Sequence, residues 1–286
     1  MTVTAPSSSA IRVPPAFRVF HMPFLNSTMN EAYDREARGE CVSAGDVYLA
    51  ERQSGTGSRG PWYTGPGDVA LTCVLDDVPT LADRYLAAAA AGLAVIDGLK
   101  AACRTPLPAL FFKWPNDVFT ADNCKLAGTM STSRSDPART IWLERERGLR
   151  LSLNWLLIGV GINLGAIDTA VSDRYAPTSV ENLTGMKPPR DEIVSETLHA
   201  LQTHLNRLAL DREGFVAALA TVLHAGRDGA VSFVPPGFEP PESYPEVQRD
   251  GRLVGATTSG FVVEVEGRRE MLPFESVGRI IPRPHR

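Results

Sequence analysis

The feature that most constrains the fold is an alanine-rich stretch between Thr80 and Arg104. It has a helical pattern and contains five consecutive alanines, at 87–91. Because alanine side chains are short, such a helix can pack closely against a neighbouring layer. Two nearly continuous apolar runs, VALTCVLD (69–76) and NWLLIGVGINLG (154–165), are typical of strands buried on both faces. The sequence therefore predicts a close-packed helix against a sheet.

The composition changes after residue 226. A Pro-rich break, VPPGFEPPESYP (234–245), precedes residues 251–280, which alternate at period two with Gly-containing turns. This pattern is typical of a small all-β unit. We therefore expect an α+β chain with a flexible Ser- and Pro-rich tail at 1–16, a larger domain at 17–226 and a small β domain at 227–286.

Composition and charge exclude several classes of protein. The 286-residue chain has a formal net charge of -4, which argues against a surface that wraps nucleic acid. The four cysteines form no CxxC pair and the five histidines show no HExxH spacing, so neither a disulfide framework nor a zinc site is indicated. No apolar run approaches the roughly 20 residues that span a bilayer. We interpret His199 and His204 as solvated residues, since their spacing places them off one helical face.

The N-terminal segment bears on the location of the protein. Its first acidic residue is Glu31, whereas Arg12 and Arg18 are present, a pattern shared by mitochondrial transit segments. Two arginines are few for such a segment, so we expect a cytoplasmic protein, with a mitochondrial one as the alternative. We expect no membrane or nucleic-acid partner, and a homodimer is left open.

A glycine-rich segment, SGTGSRGPWYTGPG (54–67), joins two predicted strands. Gly55, Gly57 and Gly60 satisfy the GxGxxG pattern of dinucleotide-binding folds, but such a site requires a helix that begins at the last glycine. Here Pro61 and further glycines and prolines follow, which cannot propagate a helix. We therefore predict a functional loop whose backbone amides bind an anion.

The most informative stretch is FKWPNDVFTADNCKLAGTM (112–130). Lys113 ends a predicted strand, a proline breaks the ladder so that Asn116 and Asp117 lie at a bend, and Lys125 heads the returning strand. Two ammonium groups near an amide and a carboxylate suit a site that handles phosphate. There, Asp117 would hold magnesium or orient an incoming amine. The alternative is a surface hairpin with a salt bridge.

These segments together resemble the biotin protein ligases, within the wider biotin/lipoate ligase family. The motifs that carry the resemblance occur in family order: NSTMNEA (26–32), AERQSGTGSRGPWYTGPG (50–67), KWPNDV followed by CKLAG (113–128), and IGVGIN (158–163). The resemblance implies a mixed β-sheet with helices mainly on one side, and the C-terminal unit resembles the family's SH3-like β domain. The segment before Ser27 is too short for a helix-turn-helix, so we expect no DNA-binding domain.

The resemblance also implies a reaction in two steps. Biotin and ATP, with magnesium, give biotinyl-5'-AMP, and the biotinyl group then passes to a lysine of a carrier domain in a biotin-dependent carboxylase. The residues implied to bind biotin are Ser27, Thr28, Gln53, Gly55, Gly57, Ser58, Arg59, Trp62 and Lys125. Those implied to bind ATP are Arg59, Trp62, Lys113, Asn116, Lys125 and Asn163. The implied catalytic residues are Lys125, Asp117 and Lys113, and the implied magnesium ligand is Asp117.

Two alternatives stay open. A lipoate ligase has the same fold, but that branch usually has a Gly-Asn step in place of Trp114-Pro115 and an Arg-x-Ser-Gly-Gly-Gly loop. The glycine loop of biotin protein ligases usually carries several arginines, whereas Thr56 and Ser58 stand here where arginines are expected. The second alternative is therefore a protein that binds biotin or its adenylate with weak or lost transferase activity.

Overall fold

The computed structural model describes residues 16–54, 56–57, 60–61, 65, 67–76, 80–133, 155–167, 175–225, 229–237 and 247–283. Nearly all of the predicted tail and half of the glycine-rich segment (54–67) lie outside these ranges. Within them, the chain forms a seven-stranded sheet, a five-stranded sheet and a two-stranded ribbon.

The seven-stranded sheet is mixed. Its strands are β1 (Arg18–Met22), β2 (Asp46–Ala50), β5 (Val69–Asp76), β6 (Leu110–Lys113), β7 (Asp117–Thr120), β8 (Lys125–Ser133) and β9 (Trp155–Ile162). The spatial order is β1–β2–β5–β9–β8–β7–β6. β1 pairs with β2 in parallel, and the other neighbours are antiparallel. The ribbon comprises β3 (Thr56–Gly57) and β4 (Gly60–Pro61).

The helices cover the two faces of this sheet unequally. They are α1 (Thr28–Ala37), α2 (Leu81–Ala102), α3 (Val180–Thr184), α4 (Arg190–Leu210) and α5 (Arg212–Val222). The alanine-rich α2 lies in the main core with α4 and the sheet residues Leu71, Ile158 and Val160. α1 covers the opposite face, where Tyr33 packs against Trp155 at 4.9 Å between ring centroids. The structure confirms the predicted helix packed against a sheet. It also confirms that the helices lie mainly on one side of that sheet.

The C-terminal sheet is antiparallel throughout. Its strands are β10 (Ala230–Val234), β11 (Arg249–Thr257), β12 (Gly260–Val265), β13 (Arg268–Pro273) and β14 (Arg279–Pro282). Their order is β13–β12–β11–β10–β14. The alternating pattern of residues 251–280 therefore predicts the strands correctly.

Trp114 joins the two sheets. Its indole N–H donates to the carbonyl oxygen of Val277 at 2.6 Å, and its ring centroid lies 4.9 Å from that of Phe261 and 5.6 Å from that of Phe274. Aromatic pairs at these distances stabilise a contact beyond the apolar area that they bury. Because Trp114 directly follows Lys113, the second sheet is attached beside one of the predicted catalytic residues.

Two expectations from the sequence are wrong. His204 is 8% exposed, and its Nε2 lies 2.9 Å from Oδ2 of the half-exposed Asp97, so a buried histidine of α4 contacts α2. Secondly, α2 is long and apolar enough to cross a membrane by length and composition alone. Since 78% of its most apolar window is buried inside the protein, α2 has the character of a core helix.

We predict that Gly92→Ala destabilises the fold. A Cβ at Gly92 would lie 2.3 Å from two ring carbons of Phe112, which is fully buried. Overpacking of this kind costs about 1–3 kcal/mol, which exceeds the helix propensity that alanine adds, about 1 kcal/mol. Urea denaturation measures the difference.

The control for this prediction is Gly255→Ala, because nothing lies within 4 Å of a Cβ at that position. Its free energy of unfolding should stay within about 0.5 kcal/mol of the natural protein. Equal stability of the two variants would contradict the close contact between α2 and β6.

Candidate active site

Neutral polar groups lie together at the start of α1. The backbone N–H and the hydroxyl of Thr28 donate to Gln53 Oε1 at 2.8 and 3.2 Å. The hydroxyl of Thr28 accepts from that of Thr72 in β5 at 2.9 Å. Ser27 is the N-cap residue of α1, but its side chain makes no capping hydrogen bond. The structure thus brings together the predicted residues Ser27, Thr28 and Gln53, and adds Thr72.

A row of small residues crosses the same face of the sheet. Ala50 pairs with Ala70, Ala70 with Gly161, Gly161 with Gly128 and Gly128 with Asp117. Paired residues point to one face, and side chains two apart along a strand share that face. Thr72 is therefore on the face that bears Asp117. Thr72 is in β5 and Asp117 is in β7, which are three strand spacings apart. At about 4.8 Å per spacing, the two strands are about 14 Å apart.

A lysine and a carboxylate form the other end of this row. Lys125 Nζ lies 2.7 Å from Asp117 Oδ1, with side chains that are 28% and 17% exposed. Asp117 Oδ1 has no hydrogen bond of normal geometry. The two groups therefore form an ion pair that is not aligned as a hydrogen bond. The structure therefore confirms that the hairpin brings Lys125 and Asp117 together.

The ammonium group of Lys113 lies among aromatic rings. Its Nζ is 3.5 Å from the ring centroid of Tyr175 and 4.8 Å from that of Phe119, and the residue is 3% exposed. Lys113 is the cross-strand partner of Asp117. Both side chains therefore point to the same face of the sheet, on which Asp117 pairs with Lys125. The sequence predicts Lys113 at this site but not its aromatic neighbours.

The two predicted asparagines hold backbone in place. Asn116 Nδ2 donates to the carbonyl oxygen of Thr129 at 2.9 Å, and Thr129 N donates back to Asn116 O at 2.7 Å. Asn163 Nδ2 donates to the carbonyl oxygen of Thr178 at 3.0 Å. Both side chains thus fix the segments beside the lysines, and their roles in ATP binding stay predictions.

The glycine-rich segment is described only in part. Gly55, Ser58, Arg59 and Trp62 lie outside the described residues, so their predicted roles stay predictions. Gly57 lies in β3, and Gly60 begins β4 instead of a helix. The rejection of a dinucleotide-binding site is therefore confirmed.

Asp68 joins the end of this segment to β9. Its carboxylate accepts hydrogen bonds from the backbone N–H groups of Gly65 at 2.7 Å, Leu164 at 2.7 Å and Gly165 at 3.0 Å. A buried carboxylate with several backbone donors is a strong tether, because losing any donor leaves charge unsatisfied. The sequence gives no signal for the contacts with Leu164 and Gly165, since these residues are far from Asp68 along the chain.

The resemblance implies magnesium at Asp117, but the described side chains do not form a magnesium site on their own. Asp117 is already paired with Lys125. Among the residues that the structure describes, no group of three His, Cys, Asp or Glu side chains could hold a metal. Magnesium requires several oxygen ligands and often binds through substrate phosphates. The assignment stays a prediction, and no step of the mechanism depends on it.

Part of the chain matches a known protein family. Residues 21–141 match the model of the biotin/lipoate A/B protein ligase family. The match includes the start of α1, the glycine-rich segment and the β6–β8 region with both lysines. The match thus supports the resemblance through three of the four motifs, and IGVGIN (158–163) lies beyond it.

One curated relative agrees with the family match. Biotin--[acetyl-CoA-carboxylase] ligase of Mycobacterium tuberculosis is 29% identical over 186 residues, which are 63% of this chain and 60% of that protein. This chain therefore spans less than two thirds of that relative's length.

Solved structures share the fold. Biotin protein ligase from Aquifex aeolicus in complex with biotin and ATP aligns with a TM-score of 0.66 at 20% identity, covering 92% of this chain and 97% of that one. A biotin protein ligase-like protein of unknown function from Silicibacter sp. aligns with a TM-score of 0.63 at 14% identity, covering 93% and 98%. At such identities the alignments establish the α+β fold, and activity has to be argued from the site.

A buried histidine, His224, lies close enough to Lys113 to feel its charge. His224 stacks on Phe111 with ring centroids 5.4 Å apart and is 8% exposed. Burial, followed by the charge of Lys113, lowers the pKa of His224 to about 4. An unfolded histidine has a pKa of about 6.5. Between these values the unfolded state binds more protons, so stability decreases as the pH falls.

We therefore predict that His224→Phe weakens the acid sensitivity of the fold. Between about pH 7 and about pH 4.5, the free energy of unfolding should decrease less in this variant than in the natural protein, by about 2 kcal/mol. Urea denaturation at both pH values measures this. The matched control is His21→Phe, because His21 is exposed on β1. Equal pH dependence in His224→Phe and the natural protein would contradict a buried neutral imidazole.

Proposed function

We propose that the protein is a biotin protein ligase, which activates biotin with ATP and transfers it to a carrier-domain lysine. One observation carries the proposal. The neutral polar group of Thr28, Gln53 and Thr72 and the cation of Lys125 lie at opposite ends of one row of small residues. Biotin has matching ends, a neutral ureido ring and a carboxylate. The family match over residues 21–141 supports the same assignment.

The ureido head would bind beside α1. Both donors of Thr28 hold Gln53 Oε1 towards the helix, so the amide NH₂ of Gln53 points the other way. These N–H groups would donate to the ureido oxygen. Because the orientation of Gln53 is fixed before the ligand arrives, little conformational entropy is lost on binding.

The first chemical step would occur at Lys125. A carboxylate oxygen of biotin attacks the α-phosphorus of ATP, the new O–P bond forms, and the bond to the bridging oxygen breaks to release pyrophosphate. Negative charge on the α-phosphoryl oxygens is stabilised by a cation already in place. The ion pair with Asp117 at 2.7 Å keeps the ammonium of Lys125 beside the row.

The second step would use Asp117. The ε-amine of the acceptor lysine attacks the biotinyl carbonyl carbon, AMP leaves, and the amine loses a proton. Asp117 is a carboxylate on the same face, and a group in that place orients an incoming amine or accepts its proton. We propose a carrier domain of a biotin-dependent carboxylase as the acceptor.

We predict that Lys125→Ala lowers pyrophosphate release with biotin and ATP by roughly 100- to 1,000-fold, the usual cost of losing one such electrostatic contact. The matched control is Lys100→Ala, because Lys100 is exposed in the last turn of α2. Its rate should equal that of the natural protein. Circular dichroism and thermal unfolding establish that both variants are folded.

The same assay separates the alternatives. Pyrophosphate release with lipoate but not with biotin would identify a lipoate ligase. Adenylate formation without transfer to an added carrier domain would identify a family member that has lost the transferase step. An unchanged rate in folded Lys125→Ala would remove this lysine from the mechanism.

A further inference from the structure

The segment that precedes α3 contacts both predicted catalytic lysines, although it belongs to none of the four motifs. Lys125 N donates to the carbonyl oxygen of Ala176 at 2.9 Å, and Thr178 N donates to that of Lys125 at 2.8 Å. These bonds make a parallel bridge between Lys125 and Pro177. The backbone beside Tyr175 is therefore fixed to the first residue of β8.

The ring of Tyr175 is held in a defined orientation. It meets the ring of Phe119 edge to face, at 5.1 Å between centroids and an interplanar angle of 90°. Edge-to-face pairs are a preferred aromatic geometry. With its backbone tied to β8 and its ring supported by β7, Tyr175 presents a rigid face.

That face is occupied by a cation. Lys113 Nζ lies 3.5 Å from the ring centroid of Tyr175, well within the range of about 6 Å for a cation–π contact. Such a contact is stronger when the cation is removed from water, and Lys113 is 3% exposed. A flexible lysine side chain is thereby held in one place.

We propose that Tyr175 is a positioning residue that sets the place of the Lys113 ammonium relative to Lys125. One short segment binds the backbone of one lysine and the ammonium of the other, so it fixes their relative positions. This inference rests on the proposed function and on the role in ATP binding that the family resemblance implies for Lys113.

The test uses two substitutions at Tyr175 in the full chain. Tyr175→Phe keeps the aromatic face, and Tyr175→Leu replaces it with an aliphatic side chain. We expect Tyr175→Leu to lower kcat for pyrophosphate release about tenfold, while Tyr175→Phe stays within about twofold. Lys113→Met supplies the second background for a double-mutant cycle. In that background Tyr175→Leu should have no further effect on kcat.

A second readout does not depend on activity. The rate at which an amine-reactive acetylating reagent labels Lys113 is followed by peptide mass spectrometry, with exposed Lys100 as the internal reference. Labelling of Lys113 should increase severalfold in Tyr175→Leu and stay near the natural rate in Tyr175→Phe, because only the leucine variant removes the aromatic face that lies 3.5 Å from the ammonium.

The outcomes are distinguishable. Unchanged labelling of Lys113 in Tyr175→Leu would overturn the proposal. So would a Tyr175→Leu substitution that lowers kcat by the same factor in the natural background and in the Lys113→Met background. A natural protein that releases no pyrophosphate with biotin would overturn the proposed function. The labelling result would still decide whether Tyr175 places Lys113.

Discussion

The candidate site depends on the absence of large side chains along one row of the seven-stranded sheet. Ala70, Gly161 and Gly128 pair across β5, β9 and β8 on the face that carries α1. Larger side chains at these positions would project from the same face of the sheet as Thr72 and Asp117. In the proposed function, this row is where a ligand with two unlike ends lies, with Thr28 near one end and Lys125 near the other.

The opposite face of the sheet supplies the rigidity that such a site needs. α2 packs so closely that Gly92 meets the ring of Phe112, one residue before Lys113. Trp114, one residue after, donates a hydrogen bond to the carbonyl oxygen of Val277, which lies just before β14 of the C-terminal sheet. The backbone around Lys113 is thus held from two directions, which suits a residue that must keep its position during catalysis.

Local patterns predict the parts of the site that are close in sequence. The bend after Lys113 follows from its proline, and the alanine-rich helix follows from its composition. Contacts between distant segments leave no spacing signal. Tyr175 beside Lys113 and the burial of His204 against Asp97 are of this kind, because both depend on which helix or loop packs against which strand.

Calorimetric titration of biotin and of biotin methyl ester, which lacks the carboxylate charge, tests most directly whether the row binds biotin by its two ends. Lys125→Met should weaken the binding of biotin by about ten- to a hundredfold, the value of one charge-assisted hydrogen bond, and leave the methyl ester unaffected. Thr28→Val should weaken both ligands by the same factor. An equal effect of Lys125→Met on biotin and its methyl ester would contradict this orientation.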